Sequence, residues 1–167
     1  MIGGPAEKKF GGGGESYLAS LKRSVEGISD RVIFGGPIFD PVVLEQNFRA
    51  ARLFVYPSLA DRGESFGLAP LEAMAHRCAV IVSNLDCFHD FIRDGETGFI
   101  FKHQSNSASE KLREKIEMAI VDETLLARVA DEGYRKSAEY SIAHVADQFL
   151  NDFNSLIRKS DAGTTRR

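Results

Sequence analysis

The sequence has 167 residues, of which 43% are hydrophobic and 27% are charged, and it carries a net charge of -3. This composition is ordinary for a soluble domain with a substantial core, and the small negative charge excludes a general attraction for nucleic acid or for an anionic membrane surface. The sequence contains no apolar run that could span a bilayer and no signal peptide, so we expect no transmembrane segment and a cytoplasmic location.

The cysteines and a glycine-rich stretch carry little functional information. Cys78 and Cys87 are the only two cysteines, which predicts a reducing compartment and no disulfide framework. The pair also disfavours a metal centre, because closed sites use about four ligands. Residues 8–14 include four consecutive glycines, but no Gly-Lys-Ser/Thr follows them as a phosphate-binding P-loop requires. We therefore predict a mobile loop at residues 8–14.

The first part of the chain alternates between short apolar runs and helical patterns. Residues 1–5 resemble the end of a buried strand, and residues 15–27 have apolar side chains at helical spacing, with Gly27 as a plausible stop. Further strands are predicted over residues 31–34, 53–56, 79–82 and 98–101, with helices after the Asp40-Pro41 pair, over residues 68–76 and over residues 87–93. Strands separated by helices predict an α/β fold with a parallel sheet that is covered on both faces.

The last third of the chain predicts three helices with recognisable N-caps. Residues 107–110 form a Ser-x-x-Glu capping box, and Asp122 and Ser141 can cap the second and third helices. Each helix carries an apolar stripe that we interpret as packing surface: Leu112, Ile116, Ala119 and Ile120; Leu126, Val129 and Ala130; and Ile142, Val145, Phe149, Phe153 and Leu156. We expect one domain over residues 1–159 and a disordered tail over residues 160–167.

The most informative stretch is the loop between the strand at residues 53–56, whose uninterrupted apolar run predicts that it is buried, and the helix at residues 68–76. Glu64 lies in this loop, Gly67 falls at the start of the helix and Glu72 lies just over one turn inside it. Carboxylates accept hydrogen bonds from hydroxyl groups, and the free N–H groups of a helix N-terminus hold anions. The stretch therefore favours a ligand with both hydroxyls and phosphates, although two solvent-exposed carboxylates without a function would give the same pattern.

The run from Glu64 to Ala75, Glu-Ser-Phe-Gly-Leu-Ala-Pro-Leu-Glu-Ala-Met-Ala, resembles the E-x7-E signature of the group 1 (family 4) retaining glycosyltransferases. The segments at residues 55–58, 79–83 and 94–100 are also similar to that family, in the same order and with familiar spacing. The resemblance implies a Rossmann-like, three-layer α/β/α domain with C-terminal helices, which forms the C-terminal, donor-binding half of a GT-B architecture. It also implies a hexosyltransferase that acts in polysaccharide biosynthesis.

The resemblance assigns a role to each residue of the signature. Glu64 would be the catalytic residue that holds hydroxyls of the donor sugar and orients it, and Glu72 would accept hydrogen bonds from the ribose. Backbone N–H groups of Ser65, Phe66, Gly67 and Leu68 would bind the pyrophosphate. Pro37, Ile38 and Phe39 match a strand-end loop near the base. The family usually needs no metal and no cofactor, so we expect none, and the substrate would be a nucleotide-diphospho-sugar.

The sequence also departs from the family pattern. The family's N-terminal domain and its Arg and Lys that neutralise the pyrophosphate have no match here, so we expect a partner in the form of an N-terminal GT-B domain or a separate chain. Residues 84–90 replace the usual Gly-Gly and Glu, with Asp90 where the Glu stands. His89 could act as a general base, but we interpret it as a surface residue of a short helix whose Phe88 and Phe91 are core.

Three functions stay open on these residues. The first is the donor-binding half of a glycosyltransferase, either a fragment or one partner of a split enzyme, with negligible activity by itself because one domain supplies only one wall of the cleft. The second is a non-catalytic binding or assembly module that kept the GT-B domain fold. The third, a GT-B epimerase or phosphorylase, is the weakest, because no pyridoxal-binding lysine is identifiable.

Overall fold

A computed structural model describes residues 1–10, 12–60 and 63–164. The chain divides into two compact units, Met1–Asn47 and Phe48–Arg167. Among the described residues, no helix combines the length and the apolar character that a membrane crossing requires. The single domain over residues 1–159 stays a prediction.

The first unit is built on a small parallel sheet. Strand β1 (Ile2–Gly3) pairs with β2 (Phe34–Gly36), and helix α1 (Glu15–Ser24) is followed by a 3-10 helix (Glu26–Arg31). Our prediction of a strand over residues 31–34 was wrong in its bounds: β2 begins at Phe34, and its pairing with β1 includes a bond from the Ile2 N–H to the Ile33 carbonyl. Residues Lys8–Phe10 form a 3-10 helix where we predicted a loop, and residue 11 lies outside the described residues.

Helix α2 (Pro41–Ala50) begins as its sequence predicts. The Asp40 carboxylate accepts from the Val42 N–H at 2.8 Å, and Pro41 occupies the first helical position, where its missing N–H costs nothing. Helix α1 ends three residues before Gly27, because the Val25 N–H bonds back to the Lys22 carbonyl and tightens the chain into the 3-10 turn.

The second unit contains three parallel strands in the order β3-β4-β5: β3 (Leu53–Tyr56), β4 (Ala79–Ser83) and β5 (Phe99–Phe101). In register, Tyr56 lies beside Val82, and Ile81 beside Phe99. All five residues of β4 are buried, so both faces of the sheet are covered there. Strand β3 is only half-buried, contrary to our prediction of a buried strand, because it lies at the edge of these three strands. The parallel pairing and the α/β class are confirmed.

Four helices complete this unit: α3 (Leu68–Ala75), α4 (Ala108–Val121), α5 (Glu123–Ala138) and α6 (Ile142–Thr164). A 3-10 helix (Asp86–Asp90) replaces the helix that we predicted over residues 87–93, because the Phe91 N–H bonds three residues back, to the Phe88 carbonyl. The core cluster comprises Ala79, Ile81, Phe99, Phe101, Ala119, Leu126, Val129 and Ala130. The inward stripe predicted for α5 is therefore confirmed.

The three predicted caps of the last helices have different outcomes. The Asp122 carboxylate accepts from the Leu125 N–H at 2.8 Å, and the Ser141 hydroxyl accepts from the His144 N–H at 3.3 Å, so both caps are confirmed. Ser107 precedes α4 but its side chain makes no capping bond. Its φ and ψ of -111° and 27° are not those of an N-cap, and its hydroxyl lies 3.2 Å from that of Ser105 instead.

The stripe of α6 does not lie in the core of its unit. Ile142 is 91% exposed, and Phe149, Phe153 and Leu156 are each more than half exposed. Ile120 of α4 is also half exposed, so it does not belong to the inward stripe that we predicted. Helix α6 continues to Thr164, past the start of the tail predicted at residue 160, and residues 165–167 lie outside the described residues.

Candidate functional site

The loop between β3 and α3 begins at the carboxyl end of a parallel strand. Residues 57–67 connect Tyr56 to Leu68, and residues 61 and 62 within them lie outside the described residues. Because β3 and β4 are parallel and paired, the carboxyl end of β4 lies at the same edge of the sheet. This edge is where open α/β sheets bind ligands.

Glu64 is held in this loop by the last residue of β3. The Tyr56 hydroxyl donates to Oε2 of Glu64 at 3.0 Å, and the pair is partly buried. Burial raises the pKa of the Tyr56 hydroxyl, and the hydrogen bond to Glu64 and its negative charge raise that pKa further. A partly buried carboxylate with a fixed donor suits the binding of ligand hydroxyls, because it retains acceptor capacity.

Gly67 forms the start of α3 in a conformation that favours glycine. Its φ of 86° and ψ of 67° are left-handed, and no capping hydrogen bond from a described side chain is made at this end of the helix. A β-carbon at Gly67 would lie 2.4 Å from Cε1 of Phe88, so a side chain is excluded by contact as well as by conformation. The N-terminus of α3 therefore presents backbone N–H groups with no side chain at position 67. Anions bind at helix N-termini of this kind.

Some neighbours of Gly67 pack against other side chains, and others are exposed to solvent. Phe66 is half-buried, with its ring centroid 5.1 Å from that of Phe91 and 5.5 Å from that of Tyr140, so its side chain anchors the loop. Ser65 is exposed, and Leu68 is 65% exposed at the first position of α3. Glu72 is also exposed on the same helix.

Pro37, Ile38 and Phe39 belong to the first compact unit. Pro37 and Phe39 are exposed, and the Phe39 side chain retains 81% of its accessible surface. Their assignment to a base pocket stays a prediction.

The segment at residues 84–90 contributes a thiol to this edge of the sheet. Burial raises the pKa of the Cys87 thiol, and the charges of Glu64, Asp90 and Asp86 raise it further. His89 is exposed, with Nε2 3.0 Å from Oδ1 of Asn84, which confirms it as a surface residue.

Tyr56 and Cys87 act on or respond to Glu64 of the candidate site, and neither was predicted from the sequence. Tyr56 carries the only hydroxyl of its strand and stands directly before the loop, and that signal could have identified it. Cys87 had no such signal, because its proximity to Glu64 depends on how residues 84–90 fold back.

The Asp94-Gly95-Glu96-Thr97-Gly98 segment has a structural role. Oδ1 of Asp94 accepts from the Ile100 N–H at 2.9 Å and from Nζ of Lys115 at 2.9 Å. The Thr97 hydroxyl accepts from the Arg93 N–H and donates to the Phe91 carbonyl. These hydrogen bonds stabilise the segment that leads into β5.

Two cavities lie elsewhere on this unit. One, of about 460 Å³, lies between β5 and α4, and its walls include the ion pair of Lys115 with Asp94 and that of Lys111 with Glu114. The other, of about 110 Å³, is lined by Asn84, Lys102, His103 and Gln104 at the ends of β4 and β5. Neither of these two cavities is lined by Glu64 or Gly67.

A family model described as "Glycosyl transferases group 1" matches residues 5–122. The lipopolysaccharide core biosynthesis mannosyltransferase LpcC of Rhizobium leguminosarum bv. viciae is 34% identical over 145 residues, which are 85% of this chain and 39% of that protein. A D-inositol 3-phosphate glycosyltransferase of Nocardia farcinica is 30% identical over 94% of this chain and 33% of that protein. The chain thus spans less than half of the length of these curated relatives.

Solved structures show the same fold. The C-terminal domain of a glycosyl transferase group 1 family protein (LpcC) from Francisella tularensis is 31% identical, with a TM-score of 0.65 over 77% of this chain and 64% of that one. Anabaena HepE in complex with UDP and glucose has a TM-score of 0.74 over 92% of this chain and 39% of that one, at 22% identity. The latter likeness shows the fold alone.

Proposed function

This chain belongs to the group 1 glycosyl transferases, and we propose that it binds the nucleotide-diphospho-sugar donor of a retaining hexosyltransferase. The observation that carries the proposal is the convergence of Glu64 and the start of α3 at the carboxyl end of β3. A carboxylate and an uncapped helix N-terminus, side by side, match a ligand that has hydroxyls at one end and a diphosphate in the middle.

In this proposal Glu64 accepts hydrogen bonds from the sugar hydroxyls and orients the transferred ring. The backbone N–H groups of residues 65–68 bind the pyrophosphate at the N-terminus of α3. Glu72 accepts from the ribose hydroxyls, and its exposed position on α3 keeps it accessible. Pro37, Ile38 and Phe39 remain candidates for the base.

The negative charges near Glu64, at the carboxyl end of the sheet, suggest to us that other residues complete the site. Among the described residues, the charges that raise the pKa of the Cys87 thiol are those of Glu64, Asp90 and Asp86, and all three are negative. A diphosphate leaving group needs positive charge in addition to N–H dipoles. We propose that a further domain or a partner chain supplies these cations and the acceptor site, and that the present chain by itself turns over donor at a negligible rate.

The proposal involves no metal and no cofactor, on the strength of the family resemblance. It includes a cytoplasmic location, supported by the two free thiols of Cys78 and Cys87. A role in polysaccharide biosynthesis accords with the lipopolysaccharide mannosyltransferase among the relatives.

A thermal-shift screen tests the proposal. The chain is heated with uridine, guanosine or adenosine diphosphate, or with their common sugar conjugates, at about 100 times the dissociation constant, where binding adds roughly 2.7 kcal/mol. We expect a raised melting temperature with the conjugates of one base, unchanged by a chelator. If the folded chain responds to none of them, the donor-binding function is wrong and the non-catalytic module is favoured.

A further inference from the structure

We propose that Tyr56 is a positioning residue, whose hydroxyl holds the Glu64 carboxylate in the orientation that meets the donor sugar. The inference rests on the proposed function of this site and goes beyond it, because it assigns a role to a residue outside the E-x7-E run. The observation is the 3.0 Å hydrogen bond from the Tyr56 hydroxyl to Oε2 of Glu64.

Glu64 needs such a restraint because it lies in a loop outside regular secondary structure. A glutamate side chain has several rotamers, and holding one of them costs conformational entropy. Tyr56, by contrast, belongs to β3, and its backbone is paired with Val82 of the buried strand β4. The hydrogen bond therefore ties a loop carboxylate to a residue of a paired strand.

The Tyr56 ring is itself held between two aromatic neighbours. It stacks on Phe54 with centroids 6.2 Å apart and an angle of 18°, and it meets the edge of Phe88 at 6.0 Å and 87°. Phe88 is fully buried. A ring with contacts of this kind has little freedom to move its hydroxyl away from Glu64.

Phe88 also connects this pair to the start of α3. Its Cε1 is the atom that a β-carbon at Gly67 would meet at 2.4 Å. One buried ring thus contacts both the residue that holds Glu64 and the glycine at the mouth of the helix. This fixes the separation between the proposed sugar-binding carboxylate and the proposed pyrophosphate-binding N–H groups.

The bond from Tyr56 uses one acceptor direction of the carboxylate. An ionised carboxylate has about four lone-pair directions on its two oxygens, so acceptor capacity remains for sugar hydroxyls. A carboxylate that is already oriented loses less entropy when the sugar binds. Tyr56 should therefore strengthen binding of the sugar and should not affect binding of the nucleotide.

The role of Tyr56 can therefore be tested by comparing a ligand that has the sugar with one that lacks it. Calorimetry measures the dissociation constants of a nucleoside diphosphate and of its sugar conjugate for the full chain and for Tyr56→Phe, which keeps the ring and removes the hydroxyl. We expect affinity for the conjugate to fall by about tenfold, the effect of one hydrogen bond to a charged group. Affinity for the free diphosphate stays unchanged. Tyr134→Phe, on the exposed face of α5, is the matched control and changes neither constant.

A double-mutant cycle separates positioning from a general structural effect. In a Glu64→Ala background, Tyr56→Phe should cause no further loss of conjugate affinity, since there is no carboxylate left to orient. Additive losses in the cycle, equal losses for both ligands, or no loss at all for Tyr56→Phe would each overturn the inference. A chain that binds the diphosphate but gains nothing from the sugar also overturns it and leaves nucleotide binding standing. Failure to bind any nucleotide contradicts the proposed function, and the inference then falls with it.

Discussion

Gly67 and Phe88 are so close that a β-carbon on the glycine would lie 2.4 Å from the ring carbon Cε1. The glycine is also left-handed, with a φ of 86°. The two constraints are independent, since one concerns local conformation and the other a contact between distant parts of the chain. Together they restrict position 67 to glycine.

Gly67→Ala should destabilise the chain by about 2–4 kcal/mol, because left-handed strain adds to overpacking against a buried ring. Gly63→Ala is the matched control: its φ is 100°, but a β-carbon there meets no atom of the described residues within 4 Å. It should cost about 1 kcal/mol, from strain alone. Chemical denaturation measures both values, and equal losses for the two variants would contradict the contact with Phe88.

The Tyr56 hydroxyl should titrate above its ordinary range, and Glu64→Ala should lower its pKa partway back, because burial remains the largest cause of the shift. Since the folded chain holds this proton more tightly than the unfolded chain, its contribution to stability is present below about pH 10 and is lost as the pH rises through the folded pKa. NMR of ring-labelled tyrosine, assigned with Tyr56→Phe, follows the titration. An unchanged pKa in Glu64→Ala would show that the hydrogen bond is absent.

The two thiols should react very differently with iodoacetamide. Cys78 is fully buried, its Sγ lies 3.0 Å from the carbonyls of Phe48 and Ala51, and burial raises the pKa of its thiol to about 11. It should react only on unfolding. Cys87 is partly exposed and should react slowly at neutral pH and faster as the pH rises, because the thiolate is the nucleophile.

Mass spectrometry after limited alkylation identifies the modified cysteine in each case, with Cys87→Ser as the control. A saturating nucleotide sugar should protect Cys87 and leave Cys78 as it was. Equal reaction of both thiols in the folded chain would contradict the placement of Cys78.

Asp94→Asn should destabilise the chain by about 1–2 kcal/mol, because it removes the ion pair with the partly buried Lys115 and weakens the bond to the Ile100 N–H. Glu114→Gln, in an exposed pair with Lys111, should have a smaller effect. Nucleotide affinity should not change in Asp94→Asn when measured well below its melting temperature. A selective loss of affinity would instead place Asp94 in the binding site.

The sequence predicted those elements whose signal is local. The apolar runs at residues 53–56 and 79–82 became β3 and β4, and Asp40, Asp122 and Ser141 cap the helices that they precede. A capping residue acts on an N–H two or three positions away, so its effect can be read from the neighbouring letters. Ser107 shows the limit of such predictions, because its side chain makes no capping bond and its N–H and hydroxyl both contact the Ser105 hydroxyl.

The parts that the sequence did not predict depend on contacts between distant residues. The bounds of β2 depend on its pairing with β1. The hydrogen bond from Tyr56 to Glu64 depends on the path of the loop between them. Phe88 was expected in the core, but its simultaneous contact with Tyr56 and Gly67 was not. Periodicity identifies a buried face and does not identify which side chains meet there.

Calorimetry on Glu72→Ala tests most directly the claim that α3 and its loop bind a nucleotide sugar. With the nucleoside diphosphate that stabilises the native chain, we predict that affinity falls at least tenfold, since the ribose loses its acceptor. Glu117→Ala, an exposed carboxylate on α4, should leave the affinity unchanged. Equal affinity in Glu72→Ala and the native chain would contradict this placement of the donor.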